Sequence, residues 1–220
     1  MELQPAPQSQ CELILGQPLK VENKQITEAE HLIVRLSEND MVNFQAPAPR
    51  MLATVPAAER LPRQLMLLIG NSYYDSIVQS DGDAAPYADE CGRRENGRGT
   101  AGVATRGAAP DGGAPGVAPR GAAPAGAVRG GGGGARTCRD QMNSRALSYI
   151  TSIDLRRVWI ADEEKGLVFG LTQFRHPYTV RERVVFNADG TRRTVTDNNN
   201  PFDTYAAHIF KIQGGKIYEI

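Results

Sequence analysis

Residues 210–219 read FKIQGGKIYE, and residues 19–28 read LKVENKQITE. Placed in register, Leu19 stands against Phe210, Lys20 against Lys211, Val21 against Ile212, Ile26 against Ile217 and Glu28 against Glu219. Each copy alternates apolar and polar residues, breaks at two turn residues and alternates again, which is the pattern of a β-hairpin. Gly214 and Gly215 supply the positive φ such a turn wants, and Asn23-Lys24 supplies it less readily. One copy closes the chain and the other lies near its start. That arrangement is expected of a tandem array in which residues 1–45 are the C-terminal remnant of a first unit, a strand-turn-strand, and residues 61–220 are a second.

Outward from the last hairpin, the C-terminal third reads as antiparallel strands. Arg157–Asp162 and Leu167–His176 flank Glu163-Glu164-Lys165-Gly166, and Val180–Phe186 and Thr191–Thr196 flank Asn187-Ala188-Asp189-Gly190. Asp203–Ile212 and Lys216–Ile220 form the final pair. A helix is expected over Leu61–Ser80, with Pro62 in its first turn and Asp81-Gly82 as its stop. Met66, Ile69, Tyr73 and Ile77 define its buried stripe, widened by Leu65 and Tyr74. A short strand over Pro86–Arg94 follows, and a short helix over Asp140–Ile150. Helices early and hairpins late make an α+β layer pair. Residues 46–60, rich in Pro and Ala, read as a linker. Residues 97–136 are mostly Gly, Ala and Pro, with GVATRGAAP (102–110) echoed by GVAPRGAAP (116–124). Such a segment has too little apolar surface to offset its ordering entropy, so it is expected to be a disordered insertion without elements.

Composition excludes several classes. Lys+Arg and Asp+Glu both number 25, so nothing electrostatic points to nucleic acid or an anionic membrane surface. No apolar run reaches the roughly 18–20 residues of a membrane span, and Met1–Gln10 lacks the features of a signal peptide. The three cysteines (Cys11, Cys91, Cys138) and three histidines (His31, His176, His208) show no zinc-type spacing. No metal or other cofactor is expected. No serine or cysteine stands in a nucleophile elbow, and RENGRGTAG (94–102) lacks phosphate-loop spacing.

Three stretches resemble a known family: SYYDSIVQSDGDAAPYADECGRRENG (72–97), RRVWIADEEKGLVFGLTQFRHP (156–177) and HIFKIQGGKIYEI (208–220). They are similar to a tandem-repeat branch, of unknown function and found in fungi and bacteria, of the SnoaL-like superfamily. Ketosteroid isomerase, scytalone dehydratase and nuclear transport factor two are relatives within it. The resemblance implies a cone-shaped, curved antiparallel sheet covered by N-terminal helices. It implies either a cofactor-free isomerase, cyclase or dehydratase acting on a small apolar ligand, or a non-catalytic ligand-binding or homodimerisation module. The family carries cysteine at the positions of Cys91 and Cys138, and some members are secreted, which implies a disulfide between them. Topology agrees, because the 97–136 excursion begins and ends at one edge of the domain. Cys11 is expected to stay unpaired.

The candidate site residues are His208, Tyr73 and His176. Ala206, His208, Phe210 and Ile212 share one face of the last long strand, while Lys211 marks the wet side. An imidazole on that apolar face would serve as a general acid–base group, with Tyr73 lending its hydroxyl; a hydrogen-bonded core histidine is the plainer reading. His176 lies before Pro177 at a sheet margin, where loops carry function, and a surface turn residue is the plainer reading. Asp75 falls opposite Met66 on the helical wheel and faces solvent. Trp159, opposite Val158 and Ile160, is expected to cover one sheet face.

Overall fold

The computed structural model describes residues 10–16, 19–37, 47–96, 98–102 and 137–220. Four N-terminal strands, β1 (Gln10–Gly16), β2 (Leu19–Glu22), β3 (Gln25–Ala29) and β4 (Leu32–Ser37), come first. β1 pairs with β4 and β2 with β3, both antiparallel, so the four nest as one long hairpin around the Asn23-Lys24 turn. Both turn residues have positive φ. A single helical turn, α1 (Pro49–Leu52), then leads to the long helix α2 (Arg63–Gln79). β5 (Tyr87–Glu95) and β6 (Arg98–Ala101) precede a short helix, α3 (Cys138–Asn143). The remaining strands are β7 (Ser152–Asp162), β8 (Leu167–His176), β9 (Glu182–Phe186), β10 (Arg192–Thr196), β11 (Phe202–Gln213) and β12 (Lys216–Glu219). The fold is mixed α+β, mostly strand with few helices, around one large curved sheet.

That sheet has six strands in the order β6-β5-β12-β11-β8-β7. Among the described residues, β9 and β10 form a separate two-stranded sheet. β5 joins β12 in parallel, through Ile217↔Tyr87 and Glu219↔Gly92, so the sheet is not the pure antiparallel meander expected from the sequence. Curvature comes from register shifts in β7, between Asp154 and Arg157 and again between Val158 and Ile160. Such bulges bend a strand and re-aim its side chains. Trp159 and Ile160 are therefore both exposed, at 55% and 56%, rather than dividing between two faces.

Helix α2 lies across the sheet with Met66, Ile69, Tyr73 and Ile77 inward, as its stripe predicts, and Tyr74 buried beside them. Leu65, expected to widen that stripe, is exposed. The partners are Val158, Val168, Phe174, Phe210, Ile212 and Ile217 from four strands of the sheet. Fully burying such side chains stabilises by about 1.5–3 kcal/mol each before entropy is counted. Gly170 marks the closest approach of helix and sheet: a Cβ there would meet the Tyr74 hydroxyl at 2.5 Å. The helix ends where Ser80 takes the left-handed conformation, one residue before Asp81-Gly82.

Two sequence expectations are corrected near the insertion. Arg98–Ala101 form β6, which pairs with β5 across Arg93↔Ala101 and Glu95↔Arg98. Ala101 is buried, and Gly102 at φ +87 lies so close to the Cys91 carbonyl that a Cβ would collide with it. Burial and pairing thus extend ordered structure past the composition boundary at Gly97. The remainder of the insertion, residues 103–136, lies outside the described residues. The second helix is shorter and earlier than Asp140–Ile150. It starts at a capping box in which Asp140 N–H donates to Thr137 Oγ1 (3.1 Å) and Thr137 N–H to Asp140 Oδ2 (3.3 Å).

Cys91 and Cys138 are joined by a disulfide, with Cα atoms 5.6 Å apart. It ties the middle of β5 to the first residue of α3. The side chain of Cys11 lies outside the described residues.

Residues 47–60 are laid against the domain. Val55 is buried and its N–H donates to the Glu164 carbonyl (2.9 Å), while Lys165 Nζ donates to Thr54 Oγ1 (2.9 Å). Lys211, expected on the wet side, is only 1% exposed: its ammonium donates to the Ala53 and Lys165 carbonyls. The Ala53 carbonyl of this overlying segment and the Lys165 carbonyl of the turn between β7 and β8 satisfy a cation that would otherwise face water.

Candidate functional site

Tyr73 and Tyr74 are neighbours on α2, yet their hydroxyls reach different partners. Tyr73 Oη accepts a hydrogen bond from Arg93 Nε (2.8 Å). Arg93 is 4% exposed and also donates to Thr100 Oγ1 (3.0 Å) and to the Glu95 carboxylate. The buried guanidinium is thus paired and hydrogen-bonded, the condition under which a buried charge is tolerated. Tyr74 Oη lies 3.4 Å from His208 Nδ1. His208 is half-buried and ringed by Tyr73, Tyr74, Phe174 and Phe210 at centroid distances of 5.4–6.0 Å.

Electrostatics decide what these groups can do. The apolar rings around His208, reinforced by the Arg93 charge, push its pKa down to about 3. Burial raises both tyrosine pKa values. At neutral pH the cluster therefore holds a neutral imidazole and two protonated phenols. It donates and accepts hydrogen bonds, but no member is poised to exchange a proton near pH 7.

His176 is not a surface turn residue. It is 6% exposed, stacked on Phe202 at 4.2 Å and on Tyr149 at 5.6 Å, because β8 continues through it in register with β11. Burial lowers its pKa as well. Aromatic contacts connect His208 to His176 through Phe174, and His176 to Tyr149 and Tyr178. Asp75 is partly exposed and paired with Arg156 at 2.6 Å, and the Arg156 guanidinium lies over the Tyr74 ring, 5.6 Å from its centroid.

Beyond Tyr149 lies a cleft of about 330 Å³. It runs between the end of α2, the turn after α3 and the segment entering β9. Tyr149, Tyr178, Arg145, Arg183, Ser148 and Thr179 line it; Tyr73, Tyr74, Arg93 and His208 do not. Arg183 is held there by Asp197, which accepts from both Nε and Nη2, and by Ser148 Oγ at 3.1 Å. Three residues of the cleft, Ser80, Arg145 and Tyr178, are non-glycines with φ of +53, +58 and +47. Ser80 and Arg145 follow helix ends, where glycine is usual, and Tyr178 follows Pro177. Left-handed backbone at a bulky residue costs of order 1–3 kcal/mol and clusters at functional sites.

Reading for acid–base residues overlooked Arg93, Glu95 and the whole cleft. Arg93 had a signal: it lies two residues from Cys91 along β5, so burying Cys91 turns it inward, while Glu95 stays exposed and reaches back to pair with it. The cleft had none, since its walls come from three separate parts of the chain. Among the described residues no group of His, Cys, Asp and Glu lies close enough to hold a metal, and no helix is long and apolar enough to cross a membrane.

The molecule is thus a mixed α+β domain with a paired polar cluster beneath its long helix and a separate cleft at one end. Residues 59–220 match the model of a family described as a domain of unknown function (DUF8021), and the chain belongs to that family. No curated protein and no solved structure matches it.

Proposed function

We propose that this chain is a small-molecule-binding domain of the SnoaL-like kind, a cone whose mouth is the 330 Å³ cleft, and that it binds its ligand without transforming it. The observation that carries this reading is the coincidence of three left-handed non-glycine residues around one cleft. Strain of that kind persists where the side chain serves a purpose glycine cannot. The volume also falls within the roughly 300–1,000 Å³ of small-molecule sites. A neutral His208 and two phenols that keep their protons support binding over proton-transfer catalysis. The SnoaL-like assignment itself rests on sequence resemblance and on the curved sheet beneath α2. The N-terminal hairpin is read as the tail of a first such unit. Its register slips between Lys20 and Val21, where the β11–β12 register slips between Lys211 and Ile212.

The test is chemical-shift mapping with a mixed set of small-molecule fragments. Shifts should gather at Tyr149, Thr151 and Thr179. Shifts gathered instead at His208 and Phe174 would move the site to the buried cluster, and none at either would end the proposal. A second reading, a cofactor-free isomerase, cyclase or dehydratase, draws on the Arg93–Tyr73 contact, which would stabilise a phenolate. It requires His208→Gln to slow turnover by about a hundredfold or more. Homodimerisation through the outer sheet face draws on exposed Trp159, Ile160 and Ile209. Sedimentation of Ile209→Asp beside the parent chain tests it, and identical monomer profiles would dismiss it.

A further inference from the structure

We infer that β11 offers its free edge to an extended peptide strand of a partner protein, taken up antiparallel, with a branched apolar residue against Tyr205 and a cation against Asp203. The edge itself is the first observation. β8 pairs with β11 without a register shift from Phe202↔His176 to Lys211↔Leu167. On the other side β12 reaches only as far as Lys211↔Glu219. Among the described residues no strand lies beside Phe202–Ile209 on that side. Thr204 and Tyr205 point to opposite faces of the strand and are both exposed, as an edge position requires.

Backbone groups point into the vacancy. The Ile212 N–H donates to the Gly166 carbonyl on the β8 side (2.7 Å). Bonding alternates along an antiparallel ladder, so even-numbered residues of β11 turn their N–H and C=O toward β8. Asp203, Tyr205, Ala207 and Ile209 turn theirs to the open side. Proteins ordinarily blunt such an edge with proline, lysine or a bulge. Phe202–Ile209 carries none of the three.

The N-terminal copy shows what fits there. Lys20↔Glu28, Val21↔Ile26 and Glu22↔Gln25 reproduce Lys211↔Glu219, Ile212↔Ile217 and Gln213↔Lys216 pair for pair. The displacement that carries Leu19 to Phe210 also carries β1, Gln10–Gly16, onto residues 201–207, the first half of β11. In that copy the corresponding edge is filled: β4 pairs antiparallel with β1. Ile33 stands opposite Ile14, the counterpart of Tyr205, and Arg35 opposite Glu12, the counterpart of Asp203. The same strand on β11 would set exposed Ile33 against exposed Tyr205 and an arginine against a carboxylate, both favourable cross-strand pairs. The chain's own β4 is taken up by β1, and although it lies beside β11 the two form no ladder. The occupant therefore comes from another polypeptide, held by main-chain hydrogen bonds and selected by alternate side chains.

The experiment is 15N-resolved NMR titration of the full chain, disulfide intact, with a synthetic peptide of residues 31–37, HLIVRLS. Shifts should gather at Asp203–Ile209, with a dissociation constant on the order of 100 μM. Ala207→Pro removes one N–H from the open side and leaves the β8 ladder its partners, so it should weaken binding at least tenfold while amide exchange in β8 is unchanged. Asp203→Lys should weaken it as well, and a peptide carrying Arg35→Glu should restore it. That charge swap decides the matter even where the proline variant folds poorly. No binding overturns the proposal, as do shifts gathered at Trp159 and Ile160 on the outer face. Equal binding of a scrambled peptide, or no rescue by the charge swap, overturns the assigned strand chemistry. Sedimentation of the chain as a dimer that Ala207→Pro dissociates would give the edge to a second copy and overturn the partner peptide.

Discussion

His208 lies among four aromatic rings, and its surroundings set a pH signature. Its pKa falls from 6.5 to about 3 on folding. Below about pH 6.5 the unfolded chain takes up a proton that the folded chain refuses until about pH 3, so stability is lost as pH falls through that window. Urea midpoints at about pH 7 and about pH 4.5 should differ less in His208→Gln than in the parent; equal differences would clear His208 of the effect. Arg145 makes the complementary case. Its φ of +58 strains an arginine and suits a glycine. Arg145→Gly should leave stability unchanged or raise it by up to about 1 kcal/mol, while weakening ligand binding in the cleft. A loss of stability above that size would show that the side chain is held for packing.

The two matching hairpins show what an element owes to its neighbours. Phe210, Ile212 and Ile217 are buried because α2 covers them, whereas Leu19, Val21 and Ile26 are exposed at 48%, 59% and 63%. Alternation made both pairs of strands, and only the helix made a core of one of them. The N-terminal hairpin is tied to the domain by Glu30, which pairs with Arg157 at 2.6 Å, and by β4 beside β11. Arg157→Ala should speed amide exchange in β2 and β3 while leaving β8 and β11 unchanged. Equal protection in the variant would place the anchor elsewhere. At the helix–sheet contact, Gly170→Ala drives a methyl into the Tyr74 hydroxyl, a rigid neighbour that cannot step aside. Denaturant titration should register a loss of about 1–3 kcal/mol; a neutral result would mean that α2 shifts freely on the sheet.

Over the whole molecule the disulfide is the longest covalent constraint, spanning a sequence separation of 47. In the chain-entropy account a loop of that length contributes about 4 kcal/mol by restricting the unfolded state. The double variant Cys91→Ser, Cys138→Ser should therefore lose several kcal/mol, nearer 2 if the unfolded chain retains structure. The bridge also holds the base of the insertion and the capped start of α3 beside β5, the strand that carries Arg93 and Glu95. Titrating unfolded, unreduced protein should count one thiol of the three cysteines; a count of three would mean that the bridge does not form.

Local pattern alone was enough for the stripe of α2, the strands β8, β11 and β12, the repeated hairpin and the nearness of Cys91 to Cys138. Each is a short-range periodicity or a matter of where a single excursion leaves and returns. Tertiary structure decided the rest. Nothing in Tyr87–Glu95 states that it will pair in parallel with β12, since that choice depends on which sheet edge is vacant once β11 and β12 have folded together. Lys211 reads as a solvent-facing residue until the carbonyls of Ala53 and Lys165 close over it. His208 was legible as a histidine on an apolar face. That this face would hold it neutral follows from Arg93 and the rings of Tyr73, Tyr74 and Phe174 arriving from other elements, because a pKa is a property of surroundings rather than of spacing.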